Sequence, residues 1–409
     1  MKRILILTSG HLCSSPRTQK EAEALTSGGY DVVVRGYWFD SELIRRDRLL
    51  LHTRKWNFEP IVDFSPKHWL RNKSFRLRTY IERACFRGFN LFMPEILGYC
   101  AKEMLAVARK TRADLTIVRS KEGMWVGDKL LNEGFNVGVD FEDWFSENIR
   151  ENVHVPVKKI KEIEIRLAKD CKYCFTTSHV MAETIARTYN VITPRVMYNV
   201  FPWSDRDLID RQVRDRNDLT VPSICWFSQT IGRDRGLEAF MKSLVYFKFP
   251  FEVHLRGNCS ESTLRCLESI IPSVWRNRVF FHHSVPYNEL VSRIAEHDIG
   301  LSLDEGVGGL NRYLTISNKL FQYLHAGLAV VANDTAGNRE IFSQFPDIGR
   351  IVQSGQPDAL VKAIEYLICS KGNLEKAKAT ALRAARERLC WEKEKDIVLR
   401  AAESALNRA

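Results

Sequence analysis

Short, uninterrupted apolar runs alternate along the chain with stretches whose apolar positions recur at helical spacing. In the first half the runs fall at residues 4–8, 30–34, 115–118, 137–140 and 173–177, with helical stretches such as 19–25 and 97–109 between them. The runs are continuous, as strands covered on both faces are, rather than alternating in and out. Strand–helix–strand alternation predicts a parallel sheet with helices on both sides. The segment Met197-Tyr198-Asn199-Val200-Phe201-Pro202-Trp203 breaks the pattern, and a polar, charged stretch follows to about residue 217. The alternation then restarts, with strands at 223–227, 252–255, 279–282, 299–303, 329–332 and 350–352 and helices at 237–246, 287–297 and 319–326. After Cys390-Trp391-Glu392, residues 393–406 read as a long terminal helix. The fold class is α/β, with two doubly wound Rossmann-like domains and a cleft between them. Ligands in such folds bind beyond the carboxyl ends of the strands.

Composition narrows this without altering it. A length of 409 residues suits two domains, and 45% hydrophobic with 27% charged residues excludes a disordered chain. The start, Met1-Lys2-Arg3-Ile4-Leu5-Ile6-Leu7-Thr8, has too short an apolar run for a secretory signal and reads as a first buried strand. No stretch approaches the roughly 20 apolar residues that span a bilayer. Ten scattered cysteines form no framework and suit free thiols in a reducing compartment. The expected location is the cytoplasm, or the inner face of the cytoplasmic membrane for a peripheral protein. Cys171 and Cys174 form a Cys-x-x-Cys without a second ligand pair and read as buried strand residues, so no metal is expected. A net charge of +11 favours anionic partners: nucleotides, nucleic acid or an anionic membrane face. No nucleic-acid-binding motif accompanies the charge, so nucleic acid is not an expected partner.

Three loops after strands carry candidate phosphate-binding chemistry. Residues 228–236, with Gln229, Gly232 and Arg235, join a strand to a helix. Backbone N–H groups, the helix dipole and an arginine fork favour an anion in such a loop. Residues 304–312 lead from Asp304 and Glu305 through Gly306, Gly308 and Gly309 to Asn311, and glycines let a backbone approach a ligand closely. Residues 333–340 form the third. Each also reads as an ordinary solvated turn. The first strand ends in Thr8-Ser9-Gly10-His11, neither a Gly-x-Gly-x-x-Gly fingerprint nor a P-loop, which disfavours a nicotinamide enzyme or a P-loop NTPase. Asp140, Glu142 and Asp143 cluster after another strand, as acceptor-side acids or as helix caps.

The block Ser317-Asn318-Lys319-Leu320-Phe321-Gln322-Tyr323-Leu324-His325-Ala326-Gly327-Leu328-Ala329-Val330-Val331-Ala332, followed by Gly337-Asn338-Arg339-Glu340, resembles the donor-binding block of glycosyltransferase family 4. The segment Trp226–Glu238 is similar to that family's strand, loop and basic-Gly element, and Val139–Glu147 to its acceptor-side Asp-x-His-Glu segment. Tyr198-Asn199-Val200 resembles its interdomain linker, and Trp391-Glu392 the start of its final helix. The likeness is loose between about residues 40 and 110.

The resemblance implies a GT-B fold: an acceptor-side domain over 1–200, a donor-binding domain over 201–388, and a terminal helix over 389–409 that crosses back to the first domain. It implies a transferase that moves a sugar from a nucleotide-sugar donor to a glycan or lipid-linked acceptor in cell-surface polysaccharide biosynthesis, with retention and without metal or cofactor. Arg235 and Lys319 would grip the donor diphosphate, with Gln229, Gly232, Asn311 and Asn318 about it. Gly306 and Gly308 would let the loop approach the sugar. Asp304 or Glu305 would serve catalysis near the donor hydroxyls, and Gln322 would contact the ribose. Ser9, Gly10, Asp140, Glu142 and Asp143 would lie on the acceptor side. The chain departs from the family's pattern at three places. Gln322 replaces the second of two spaced glutamates, and the strict spacing of the first lands on Leu314. Glu142 stands at the acceptor-side histidine, and Gln229 at the first basic residue of the phosphate loop. An epimerase of GT-B fold and an inactive GT-B binding protein are the alternatives.

Residues 67–87 are dense in Lys and Arg, with Leu70, Leu77, Ile81 and Ala84 at helical spacing. This segment suits an anionic membrane surface or docking on its own domain with a solvated basic face.

Overall fold

The structure, a computed structural model, describes residues 1–148, 155–232, 235–303 and 309–407. It contains two parallel sheets. The first comprises β1 (Arg3–Leu7), β2 (Asp31–Trp38), β3 (Asn57–Asp63), β4 (Leu115–Val118), β5 (Val137–Phe141), β6 (Tyr173–Thr176) and β7 (Arg195–Val196), in the order β3-β2-β1-β4-β5-β6-β7. The second comprises β8 (Ser223–Ile231), β9 (Glu252–Cys259), β10 (Val279–His282), β11 (Ile299–Ser302), β12 (Ala329–Asn333) and β13 (Gly349–Val352), in the order β10-β9-β8-β11-β12-β13. In each sheet the order reverses beside a central strand, β1 or β8, which pairs in parallel with both neighbours. Ile4, Leu5, Ile6 and Leu7 of β1 are all fully buried, as the continuous apolar runs predict.

The chain divides into two compact units: Met1–Met197 with Gly309–Asn311 and Glu394–Ala409, and Tyr198–Gly308 with Arg312–Lys393. The terminal helix spans Trp391–Asn407. In its portion within the first unit, the carbonyl of Leu406 accepts from Lys2 Nζ at 2.6 Å and that of Ala405 from Asn136 Nδ2 at 3.2 Å. In the second unit, Trp391 N–H donates to the Phe201 carbonyl at 3.0 Å.

Most expected elements appear, with shifted ends. The helix expected at 97–109 starts at Ala101. Residues 97–100 form a turn instead, with Cys100 at φ +65°, outside the helical region. The strand expected at 223–227 continues to Ile231. β3 went unread because it is a half-exposed edge strand with polar ends and an internal Pro60, which edge positions tolerate. All ten cysteines are free, with Cys174 buried on β6. No described helix is long and apolar enough to cross a membrane.

Gly300 on β11 shows how tightly the second unit packs. The Tyr323 ring lies where a Gly300 side chain would be, and the Tyr323 hydroxyl donates to the Leu301 carbonyl at 3.1 Å. Gly300→Ala should therefore displace a buried ring and lower unfolding stability by about 1–3 kcal/mol, measured by urea denaturation.

Candidate functional site

Of the expected donor residues, Gln229, Gly232, Arg235, Asn318, Lys319 and Gln322 lie in the second unit. β8 runs past its expected end because Gly257 of β9, at φ +156°, lets the strands close up: a Cβ there would lie 2.5 Å from the Ser228 carbonyl. Gln229 thus sits on the strand extension, exposed. Gly232 follows just after the strand ends. Arg235 is half-buried and donates from Nη1 to Ser228 Oγ at 3.3 Å. Gly236, at φ +76°, packs against Leu303 at the end of β11 and starts the helix Leu237–Ser243.

Lys319 also reaches β8. Its Nζ lies 5.4 Å from the ring centre of Trp226, which is fully buried on β8. The helix Asn318–Ala326 that carries Lys319 is capped by the Ser317 hydroxyl, and Asn318 lies on its first turn. Arg235 and Lys319 are thus both held against side chains of β8, each beside the start of a helix. That arrangement can neutralise a diphosphate and stabilise charge that grows on it as a leaving group. Gln322, one turn further on, is buried beside Phe201, Leu208, Tyr287, Val291 and His325, with no room for a ligand between them.

Other parts of the donor region are held by polar side chains. Thr335 caps the helix Ala336–Gln344, and Gly337 lets that helix abut the carbonyls of Leu314 and Thr315. Glu340, of the Gly-x-x-Glu turn, accepts from the Tyr198 hydroxyl at 2.5 Å. The loops after β9 and β10 are tied by Ser284 Oγ to Asn258 Oδ1 at 2.8 Å and by Arg256 Nη1 to the His283 carbonyl at 2.6 Å. Asp304, Glu305, Gly306 and Gly308 lie outside the described residues.

In the first unit, Ser9 is exposed and Gly10 half-buried just past β1, with open space where a Gly10 side chain would stand. The next residue, His11, is fully buried. It donates from Nδ1 to Asp47 Oδ2 at 2.9 Å, and its Nε2 accepts from the N–H groups of Phe39 at 3.1 Å and Asp40 at 3.2 Å. Burial would raise the Asp47 carboxyl, but hydrogen bonds from His11 and Cys13 outweigh it and hold it below the usual range. This pin joins the loops after β1 and β2. Sequence reasoning missed it because Asp47 lies in the stretch without a recognisable pattern.

Asp140, at the end of β5, is the centre of a buried ionic network. Both its oxygens accept from Arg17, at 2.7 Å each, and Arg119 lies 3.2 Å away. Arg119 also pairs with Glu21, whose other oxygen accepts from the Tyr173 hydroxyl at 2.6 Å. Burial opposes the Asp140 charge, yet the two guanidinium groups keep its carboxyl below the ordinary range. Asp140 therefore anchors the loop that follows it, leaving Glu142 and Asp143 half-buried beyond it. Burial raises the Glu142 carboxyl.

Asn311 belongs to the first unit and bonds this same loop. It accepts from Trp144 N–H and donates to Asp143 Oδ1, both at 2.8 Å. The Trp144 indole donates to the Tyr189 hydroxyl at 2.6 Å, and that hydroxyl donates to Glu164 at 2.8 Å. Burial pushes the Glu164 carboxyl up to about 7 despite bonds from Ser146 and Tyr189.

Residues 235–399 match the family described as glycosyl transferase-like. The fold is that of GT-B glycosyltransferases. No curated protein matches it in sequence. Over its whole length it is similar in fold to HepE of Anabaena, solved with UDP and glucose, at 14% identity and a TM-score of 0.68, covering 99% of this chain and 100% of that one. It is likewise similar to a point mutant of TarM of S. aureus, solved with Fondaparinux, alpha-GlcNAc-glycerol and UDP, at 10% identity and a TM-score of 0.66, covering 100% of both chains. A candidate UDP-N-acetylglucosamine 2-epimerase of Listeria monocytogenes shares the GT-B architecture at 9% identity and a TM-score of 0.61, covering 99% of this chain and 96% of that one.

The raised Glu164 carboxyl has a stability consequence. The folded state binds a proton that the unfolded state, near 4.5, releases earlier. Stability from this group therefore falls as pH rises through that interval and levels off above pH 7. Glu164→Gln removes the effect, so relative to wild type the variant should gain up to about 3 kcal/mol between pH 4.5 and pH 8. Urea denaturation of both proteins across that range measures the difference.

Proposed function

We propose that the protein transfers a sugar from a nucleoside-diphosphate donor to a glycan or lipid-linked acceptor, with retention and without a metal ion. It would act in cell-surface polysaccharide synthesis, in the cytoplasm or peripherally on the inner face of the cytoplasmic membrane. The observation that carries this reading is the contact of Arg235 and Lys319 with Ser228 and Trp226 of β8, both cations lying within the glycosyl transferase-like segment. The bond between the sugar's anomeric carbon and the diphosphate breaks, and the two cations take up the charge on the departing oxygen. The acceptor oxygen bonds to the same carbon, and its proton passes to the leaving phosphate. Gln229, Gly232 and Asn318 lie along the phosphate path, and Gln322 serves the ribose with a neutral amide. Asp304 and Glu305 orient the donor hydroxyls, and Gly306 and Gly308 admit the sugar. Ser9, Gly10, Glu142 and Asp143 receive the acceptor, while Asp140 and Asn311 position their loop. UDP is the first nucleotide to test, because the HepE and TarM structures contain it.

The shared architecture of the Listeria monocytogenes chain supports epimerisation of the nucleotide sugar as a second reading. NMR of the product separates the two: a new sugar epimer without acceptor indicates an epimerase, and a retained anomer on an acceptor indicates a transferase.

Calorimetry with UDP, GDP, ADP and CMP in the presence of a chelator tests the donor site. One nucleotide should bind selectively. Arg235→Ala and Lys319→Ala should each weaken it about tenfold or more, the loss of a charge-assisted phosphate contact. Unchanged binding in both variants would refute the site.

A further inference from the structure

The helix Trp69–Phe89 is amphipathic in the wrong sense for a core-facing helix. Its inward face is largely polar: Asn72, Thr79 and Glu82 are buried there with Phe75. Asn72 Nδ2 donates to the Phe64 carbonyl at 2.7 Å, and a Glu82 carboxylate oxygen accepts from Glu95 N–H at 3.0 Å. The apolar stripe points outward instead. Leu70 is 67% exposed, Leu77 59% and Ile81 50%, with Trp69 and Tyr80 beside them. Ordinary packing of an amphipathic helix buries such a stripe, so docking on its own domain does not account for it.

The charges are sorted by face as well. Glu82 is the helix's single acid, and it is turned inward near Arg78 and Lys102. Arg78 also turns inward and pairs with Glu95 and Glu103. Lys73, Arg76, Arg83 and Arg87 are exposed along one flank of the apolar stripe, and none forms an ion pair with another described residue. Lys73 Nζ lies 4.6 Å from the exposed Trp69 ring centre.

We infer that this outward face seats the protein on an anionic lipid surface, with Leu70, Leu77 and Ile81 in the acyl boundary and the Lys73–Arg87 flank on the headgroups. Three features favour lipid over a protein partner. The basic and apolar side chains interleave turn by turn along 21 residues, about 30 Å of helix. The core of a protein interface excludes charge rather than interleaving it. An apolar stripe with a basic flank and interfacial Trp and Tyr is the pattern of a helix lying in the plane of a membrane. No described helix can span the bilayer, so this contact is peripheral. It is independent of which sugar is transferred.

Cosedimentation of the full chain with phosphatidylcholine vesicles, with and without phosphatidylglycerol, tests the inference. The protein should pellet with the anionic vesicles and stay in the supernatant with the neutral ones. Leu77→Asp should lower anionic-vesicle binding at least tenfold, and so should a variant with Gln at 73, 76, 83 and 87. Both changes lie on the solvent side and should leave the circular dichroism and the melting temperature unchanged. Three results would overturn the assignment: no binding to anionic vesicles, wild-type binding by both variants, or a concentration-dependent dimer that Leu77→Asp dissociates while vesicles bind nothing. The last would give the face to a second copy of the chain.

Discussion

A parallel sheet covered on both faces leaves its strands no side chains to spare for chemistry. Every residue of β1, β5 and β11 is buried, apart from the exposed Arg3 at the start of β1. Functional groups must therefore come from the loops that leave the strands' carboxyl ends, where chain can turn toward solvent and helices begin. Both units obey this. Ser9 and Gly10 leave β1, Glu142 and Asp143 leave β5, Gly232 and Arg235 leave β8, and Asn318 and Lys319 open the helix before β12. What differs between the two edges is how charge is held there.

At the first edge the charge is buried and paired. Arg17, Arg119, Asp140 and Glu21 pair with one another beneath the loop, and backbone and hydroxyl partners add further bonds. Such a network adds little net stability, because the desolvation of four ions offsets most of their attraction. It does fix geometry, since any displacement of the loop would leave a buried ion unpaired. At the second edge two cations rest on side chains of β8. Arg235 touches a hydroxyl and Lys319 an indole face, and two helices start beside them. Positive charge beside two helix starts favours an anion such as a diphosphate.

Legibility in the sequence followed from the range of the interactions. Most strands of both sheets are visible because burial on two faces writes continuous apolar runs, and Arg235 stands in a loop read from strand and helix succession, whereas Lys319 was reached only through the resemblance of its block to a family segment. The Asp140 network was not visible: its members come from the helix after β1, the ends of β4 and β5, and β6, and no local pattern links Arg17 to a carboxylate 123 residues on. The His11–Asp47 pin was missed for the same reason. Asn311 was read as a donor residue from its glycine-rich neighbourhood, yet its amide is committed to Asp143 and Trp144. The identity of the residue was legible, but its partner was not.

The helix Trp69–Phe89 shows where the amphipathic pattern by itself cannot decide. Apolar residues at helical spacing say that one stripe avoids water, and they do not say whether protein or lipid covers it. Here the inward face is identified by its polar groups. Asn72 and Glu82 are held by specific hydrogen bonds to neighbouring backbone, which satisfy polar atoms that burial would otherwise penalise. Rotating the helix to bury Leu70, Leu77 and Ile81 would break those bonds and drive Lys73 and Arg76 toward the domain as well. The orientation is thus set by the polar side, and the apolar stripe faces outward because the side opposite to it is already committed.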